Sequence, residues 1–210
     1  MELTEVQEYV IEGNAKGSEQ WTKDALAEGM DPTAIVNKGL IPAMDVVGEK
    51  FKNEEYYMPD MLVSARAMKA AMSLVKPLIA EAGGSPKGTV IFGTVQGDLH
   101  DIGKNLVSMM LEGAGFDVVD LGTDVAPETF VTAVEEHDAN LLGLSALLTT
   151  TMPMIGETIG ALNEAEIRAR IKIMIGGAPV TAAYATSVGA DGFAEDAATA
   201  VEVAKELVGD

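Results

Sequence analysis

From Thr89 onward the chain alternates short, almost wholly apolar runs with longer stretches of helical spacing. The runs are TVIFGTV (89–95), FDVVDL (116–121), LLGLSAL (141–147), IKIMIGG (171–177) and the short DGFA (191–194). Helical patterns lie between them, near 102–113, 126–137, 153–166 and 179–189, and a last one follows at 197–208. Strands that stay apolar along their length, instead of alternating with polar residues, are buried on both faces. Parallel sheets covered by helices on both sides meet that condition. The spacing therefore predicts an α/β domain: five βα units in a doubly wound, five-stranded parallel sheet of the flavodoxin or Rossmann-like type.

Residues 1–84 have a different texture, with apolar residues at three- to five-residue intervals, which is helical. Thr4 with Gln7 resembles a capping box for a first helix. Ser18 is placed to cap a second, through Trp21, Ala25 and Leu26, with Gly29 as its stop. Asp31-Pro32 joins a capping carboxylate to proline at the first helical position. The third helix carries Ile35, Leu40, Met44, Val47 and Phe51. Pro59 begins a fourth, with Leu62, Ala65, Met68, Met72 and Val75 on one face and Pro77 as a possible kink point. Four amphipathic helices with short connections form a four-helix bundle. EAGGSPKG, Glu81 to Gly88, then breaks the pattern with linker composition. The expected layout is a helical domain at 1–84, a linker at 85–88 and a sheet domain at 89–210.

Composition narrows the function. The net charge is −19. Residues 1–84 hold 14 acids against 8 bases and residues 85–210 hold 19 against 6, so most of the acidity lies in the second part. Nucleic acid and anionic membrane would both repel such a chain. With no cysteine, a disulfide framework, a thiolate metal site and a cysteine nucleophile are excluded. MELTEVQEYV has no basic region followed by an apolar stretch, and no apolar run reaches the ~18 residues of a membrane span. A cytoplasmic protein is the expectation.

In open parallel sheets, ligands sit beyond the carboxyl ends of the strands where the strand order reverses. In flavodoxin-like order that point lies between the first and third strands. GDLHDIG, Gly97 to Gly103, follows the first strand. SALLTTT, Ser145 to Thr151, closes the third. GGAPV, Gly176 to Val180, follows the fourth beside them. A Walker loop does not fit: Gly97 and Gly103 enclose five residues, Asn105 follows Lys104, and Asp98 and Asp101 would repel phosphate. No G-x-G-x-x-G follows the first strand. The other histidine, His137, reads as a solvated residue at a helix C-terminus. One histidine is too few for zinc. It suffices for a metal held in a macrocycle, oriented by Asp98 with Thr151 or Ser145 completing a hydrogen-bonded relay. On the local pattern alone, Asp98 as a helix cap with His100 as an ordinary loop residue explains these residues equally well.

At these positions the chain resembles the cobalamin-binding family. Asp98-x-His100-x-x-Gly103, Ser145-x-Leu147 and Gly176-Gly177 match its three motifs in order. VQGDLHDIGKNLV is similar to the corresponding stretch of cobalamin-dependent methionine synthase and of the small corrinoid proteins of methanol, methylamine and betaine methyltransferase systems. MDVVGEKFKNEEYYMPDMLVSARAMK resembles the helical cap of the same proteins. The resemblance runs from about residue 4 to 208, the layout of a stand-alone corrinoid methyl carrier. It implies a methyl-carrying subunit of a cobalamin-dependent methyltransferase system, not a catalyst on its own.

The resemblance further implies that His100 ligates cobalt from below in place of the cofactor's benzimidazole, with Asp98 and Thr151 completing the relay. Gly97, Leu99, Asp101, Gly103 and Leu147 belong to the same cofactor-binding motifs. Ser145 and Thr149 line the slot for the displaced nucleotide tail, Gly176 and Gly177 let that tail pass close to the backbone, and Ala197 touches it. Phe51 and Met58, with Asn37 as a weaker candidate, cover the upper face of the corrin; as plain apolar residues at helical spacing, Phe51 and Met58 also read as bundle core. The linker acts as a hinge for the cap. The implied partners are a substrate-specific corrinoid methyltransferase, an acceptor methyltransferase and a reductive activator, whose basic patches the acidic second domain would meet. Two other readings stand beside this one: a cobalamin-binding sensor or regulatory module, and a flavodoxin-like protein without its cofactor.

Overall fold

The structure is a computed structural model that describes residues 1–82 and 86–209. Residue 85 of the expected linker at 85–88 lies outside the described residues, as do residues 83 and 84 before it. The chain divides into two compact units: Met1–Pro86 with Glu112–Gly115, and Lys87–Leu111 with Phe116–Asp210.

The first unit is helical: α1 (Leu3–Ile11), α2 (Ala15–Ala27), α3 (Pro32–Ala34), a π-helical segment (Ile35–Leu40), α4 (Ile41–Lys52) and α5 (Met58–Glu81). α3, the π segment and α4 run on as one rod. Val6, Val10, Trp21, Ala25, Met44, Val47, Met61, Ala65 and Met68 are buried in it. Polar bonds tie the rods together. The Trp21 indole donates to Glu5 at 2.7 Å, and both Ser64 and Tyr56 donate to the Ile11 carbonyl, each at 3.0 Å, at the exposed end of α1.

Two expected caps differ. α1 starts after Glu2 with no side-chain cap, and α2 is capped by Asn14, which accepts from Gly17 N–H at 3.0 Å. Ser18 is buried within α2. Gln7 has other work. Pro42 has no N–H for the Lys38 carbonyl four residues back, and the Gln7 amide donates to that carbonyl at 2.8 Å. Asp31 does cap its helix, accepting from Thr33 N–H at 3.1 Å.

The second unit is a five-stranded, all-parallel sheet in the order β2-β1-β3-β4-β5. Its strands are β1 (Thr89–Thr94), β2 (Asp117–Asp120), β3 (Leu141–Ser145), β4 (Lys172–Gly176) and β5 (Gly192–Ala194). The intervening and following helices are α6 (Ile102–Gly113), α7 (Pro127–Glu136), α8 (Pro153–Glu164), α9 (Ala182–Val188) and α10 (Ala197–Val208). β1 and β3 are central and almost wholly buried, which explains their unbroken apolar sequences. Ile91, Leu142, Leu144, Phe130, Ile155, Leu162 and Ile175 fill the core on one face. The strand order reverses between β1 and β3, whose last residues, Thr94 and Ser145, stand opposite one another.

Candidate functional site

Past Thr94 the backbone stays paired for one residue more, with Val95 N–H donating to the Ser145 carbonyl at 3.0 Å. It then turns at Gly97, whose φ of +82° suits glycine. The turn sends the Asp98 side chain inward, where it is fully buried. Asp98 Oδ1 accepts from the His100 backbone N–H at 3.1 Å and pairs with His100 Nδ1 at 2.7 Å. Asp98 Oδ2 accepts from Leu147 N–H at 2.7 Å, Leu148 N–H at 3.2 Å and the Thr151 hydroxyl at 2.7 Å. Those last three donors come from one turn after β3, in which Thr151 N–H and Met152 N–H both return to the Leu148 carbonyl. Successive amides aimed at one point make an anion nest.

Burial alone pushes the Asp98 carboxyl up. The Thr151 hydroxyl, the His100 ring and the amides of Leu147 and His100 outweigh it and hold the group well below the usual carboxylate range. Asp98 is therefore ionised at neutral pH and can only accept. Neutral His100 must then carry its proton on Nδ1, which leaves the Nε2 lone pair free. The His100 side chain is 50% exposed, and Nε2 has no hydrogen-bond partner among the described residues. In the same loop Leu99 is 73% exposed and Ile102 70%, and in the turn after β3 Leu147 and Leu148 are exposed as well.

The helix-cap reading of Asp98 is not what the structure contains; its carboxylate accepts from His100 and from the turn after β3, and from no residue of α6 among the described residues. Asp101 takes the place before that helix, accepting from Asn105 through both backbone and side chain. Between the two hydroxyls considered for the relay, Thr151 bonds Asp98, whereas Ser145 makes no bond to it among the described residues. Thr149 is exposed beside them.

The two glycines after β4 have a reason internal to the protein. A Cβ on Gly177, whose φ is +125°, would lie 1.9 Å from the Ala146 carbonyl oxygen, and one on Gly176 would lie 2.9 Å from that of Ala194. Gly103 differs, since a Cβ there would meet nothing within 4 Å. Ala197 is buried at the start of α10 and is not brought to the surface. In the helical unit Phe51 is half-buried and Met58 exposed, so neither is bundle core; Asn37 is exposed on the π segment.

Sequence reasoning missed three contributors. Leu148 acts through its amide, which any residue but proline supplies. Ile102 reads as an ordinary helix residue. Thr94 is an apolar-strand end whose buried hydroxyl donates to the His100 carbonyl at 2.9 Å.

With this geometry in view, comparison with known proteins decides the family. A family described as B12 binding domain matches residues 88–203, and a second of the same description matches residues 2–76. The chain belongs to the B12 binding domain family. A corrinoid protein of Desulfitobacterium hafniense is 40% identical over 210 residues, 99% of this chain and 97% of that protein. Dimethylamine corrinoid protein 1 of Methanosarcina acetivorans is 46% identical over 180 residues, 85% of this chain and 84% of that one. Among solved structures, the methanol:cobalamin methyltransferase complex of Methanosarcina barkeri superposes with a TM-score of 0.88 at 30% identity, over 99% of this chain and 79% of that one. The chain is thus a corrinoid protein of the B12 binding domain family, with a helical part and a Rossmann-like sheet. Among the described residues no helix is long and apolar enough to cross a membrane.

Proposed function

We propose that this corrinoid protein carries a methyl group on cobalamin held base-off, with His100 Nε2 as the lower ligand of the cobalt. The observation that carries this reading is a half-exposed imidazole whose Nδ1 is tied to a buried, ionised carboxylate while Nε2 has no hydrogen-bond partner among the described residues, in a loop whose Leu99 and Ile102 are strongly exposed. Exposed apolar residues in such a group mark a binding surface. Among the described residues no cluster of three or more His, Cys, Asp or Glu could hold a bare cation. A lone imidazole suits a metal that brings its other ligands with it. Gly103 leaves room that the fold itself does not fill, which suits close approach of a large planar group.

Bound cobalamin supplies a cobalt that accepts and gives up the methyl group. The chain's residues manage the ligand. Asp98 fixes the ring plane and tautomer through Nδ1, and against burial the Thr151 hydroxyl, the His100 ring and the Leu147 and His100 amides keep that carboxylate ionised. With Nδ1–H held on Asp98, Nε2 is the nitrogen that would face the metal. Ser145, Thr149, Gly176 and Gly177 lie at the strand ends where the nucleotide tail is accommodated. Residues 89–210 form the cobalamin-binding domain and residues 1–84 its cap, with Phe51 and Met58 shielding the upper face.

The named relatives support the partners. Dimethylamine corrinoid proteins and a methanol:cobalamin methyltransferase complex are similar to this chain. We take the partners to be a substrate-specific corrinoid methyltransferase, an acceptor methyltransferase and a reductive activator, all in the cytoplasm. The test is spectroscopic. Purified protein loaded with hydroxocobalamin should show a histidine-ligated, base-off spectrum, and His100→Ala should change it and weaken retention of the cofactor on a desalting column. Identical spectra for the two proteins would refute ligation by His100.

A further inference from the structure

The loop that carries His100 is gripped at both ends by the end of β2 and the turn that follows it. At its start, Asp124 brackets the buried Asp98. The Asp124 N–H donates to the Asp98 carbonyl at 2.9 Å, and Asp124 Oδ1 accepts from the Gly97 N–H at 2.7 Å. Asp124 makes both bonds from a left-handed backbone, φ 54°, a conformation that L residues other than Asn and Asp seldom adopt. At the loop's other end, Lys104 lies in the first turn of α6 with its side chain almost fully buried. That is a poor place for a cation, both for burial and because helix N-termini favour anions. Its ammonium is held by Asp120 Oδ2 and, at 2.7 Å, by Asn105 Oδ1. Asp120 is itself fixed, since its Oδ1 accepts from Gly122 N–H at 2.9 Å.

We propose that Asp124 and the Lys104–Asp120 pair are positioning residues that set where the His100 imidazole stands. Their bonds close a frame around the loop: Gly97 and Asp98 are pinned to Asp124, the first turn of α6 is pinned to Asp120, and the His100 carbonyl between them is held by Thr94. None of these side chains touches the imidazole. They act on it through the backbone, so their loss lets the loop drift and lets the Asp98–His100 Nδ1 pair open more often. The inference rests on His100 as the cobalt ligand, and its test separates the two.

Asp124→Gly keeps the left-handed backbone and the N–H but removes the acceptor for Gly97. In the full chain loaded with methylcobalamin, its ratio of histidine-on to histidine-off absorbance should fall about fivefold, the worth of one hydrogen bond. Asp124→Asn, which keeps an acceptor oxygen and tolerates the same φ, should restore the ratio. Lys104→Met, of similar length and without charge, gives a second route to the same fall. A second readout needs no cofactor: solvent exchange of the His100 Nδ1 proton, followed by NMR on cofactor-free protein, should quicken by about the same factor in Asp124→Gly and Lys104→Met. If loaded wild type matches His100→Ala but the exchange still quickens, ligation fails and positioning stands. If both variants match wild type in both readouts, or Asp124→Asn is as impaired as Asp124→Gly, the positioning role is overturned.

Discussion

Asp98→Asn tests the site most sharply, because the variant is the same size and differs only in what it can accept. In the native site every group facing Asp98 is a donor: the His100 amide and Nδ1 on one oxygen, and the Leu147 amide, Leu148 amide and Thr151 hydroxyl on the other. An asparagine must turn its NH₂ toward one of these sets. Facing the three donors from the β3 turn would strand all of them, so the NH₂ goes to the His100 side. There it meets the His100 N–H, which loses its acceptor, at about 1–3 kcal/mol for a donor left without a partner. It also meets Nδ1, which can be satisfied only by becoming an acceptor. The ring proton then moves to Nε2, the nitrogen proposed above as the cobalt ligand. The expected result is a loss of about 1–3 kcal/mol in urea unfolding of cofactor-free protein, a switch of the neutral tautomer from Nδ1–H to Nε2–H in ¹⁵N NMR, and a cobalamin spectrum shifted toward that of His100→Ala. A variant that keeps the proton on Nδ1, or binds cobalamin with a wild-type spectrum, would refute the reasoning.

The remaining expectations follow from the same contacts. Asp98 is held below its ordinary value of 3.8, so its stabilising share is present above about pH 4 and is lost as pH falls toward its lower folded value. Thr151→Val removes one of the bonds that lowers it, and should therefore cost about 1.5–3 kcal/mol at pH 7 and make acid destabilisation below pH 4 less steep; parallel slopes in urea midpoints against pH would show that Thr151 does not contribute. Gly177→Ala should cost about 3 kcal/mol or more, through a Cβ 1.9 Å from a carbonyl oxygen and a φ of +125°. Gly103→Ala, with nothing within 4 Å, should leave unfolding unchanged and reduce cobalamin affinity, measured by titration. Phe51→Ala should speed photolysis of the loaded methylcobalamin, and an unaltered rate would remove Phe51 from the cap's role.

The sheet was legible because its central strands are buried on both faces and so have no polar residues to confuse the period; the limits expected for α6 and α10 match those observed. The reversal between β1 and β3 then placed GDLHDIG beside SALLTTT without any contact being known. The helix starts were read less well. Asn14 caps α2 and Ser18 does not, because several polar residues near a helix start can each cap in principle, and packing against neighbouring rods selects one. The choice between Thr151 and Ser145 could not be made from spacing, since it depends on how tightly the turn after β3 closes on Leu148. Amides such as that of Leu148 leave no trace in a side-chain pattern. Gly176 and Gly177 also answer to the fold itself, since a Cβ on either would meet the backbone at Ala194 and Ala146.

The tether on the imidazole is made of pieces synthesised far apart. His100 and Asp98 leave the ribosome together, but the donors that meet Asp98 from the turn after β3 lie 49, 50 and 53 residues later. In a nascent chain that has emerged only through β1 and β2, none of those three bonds to Asp98 can form, and the burial of that carboxylate waits on the pairing of β3 with β1.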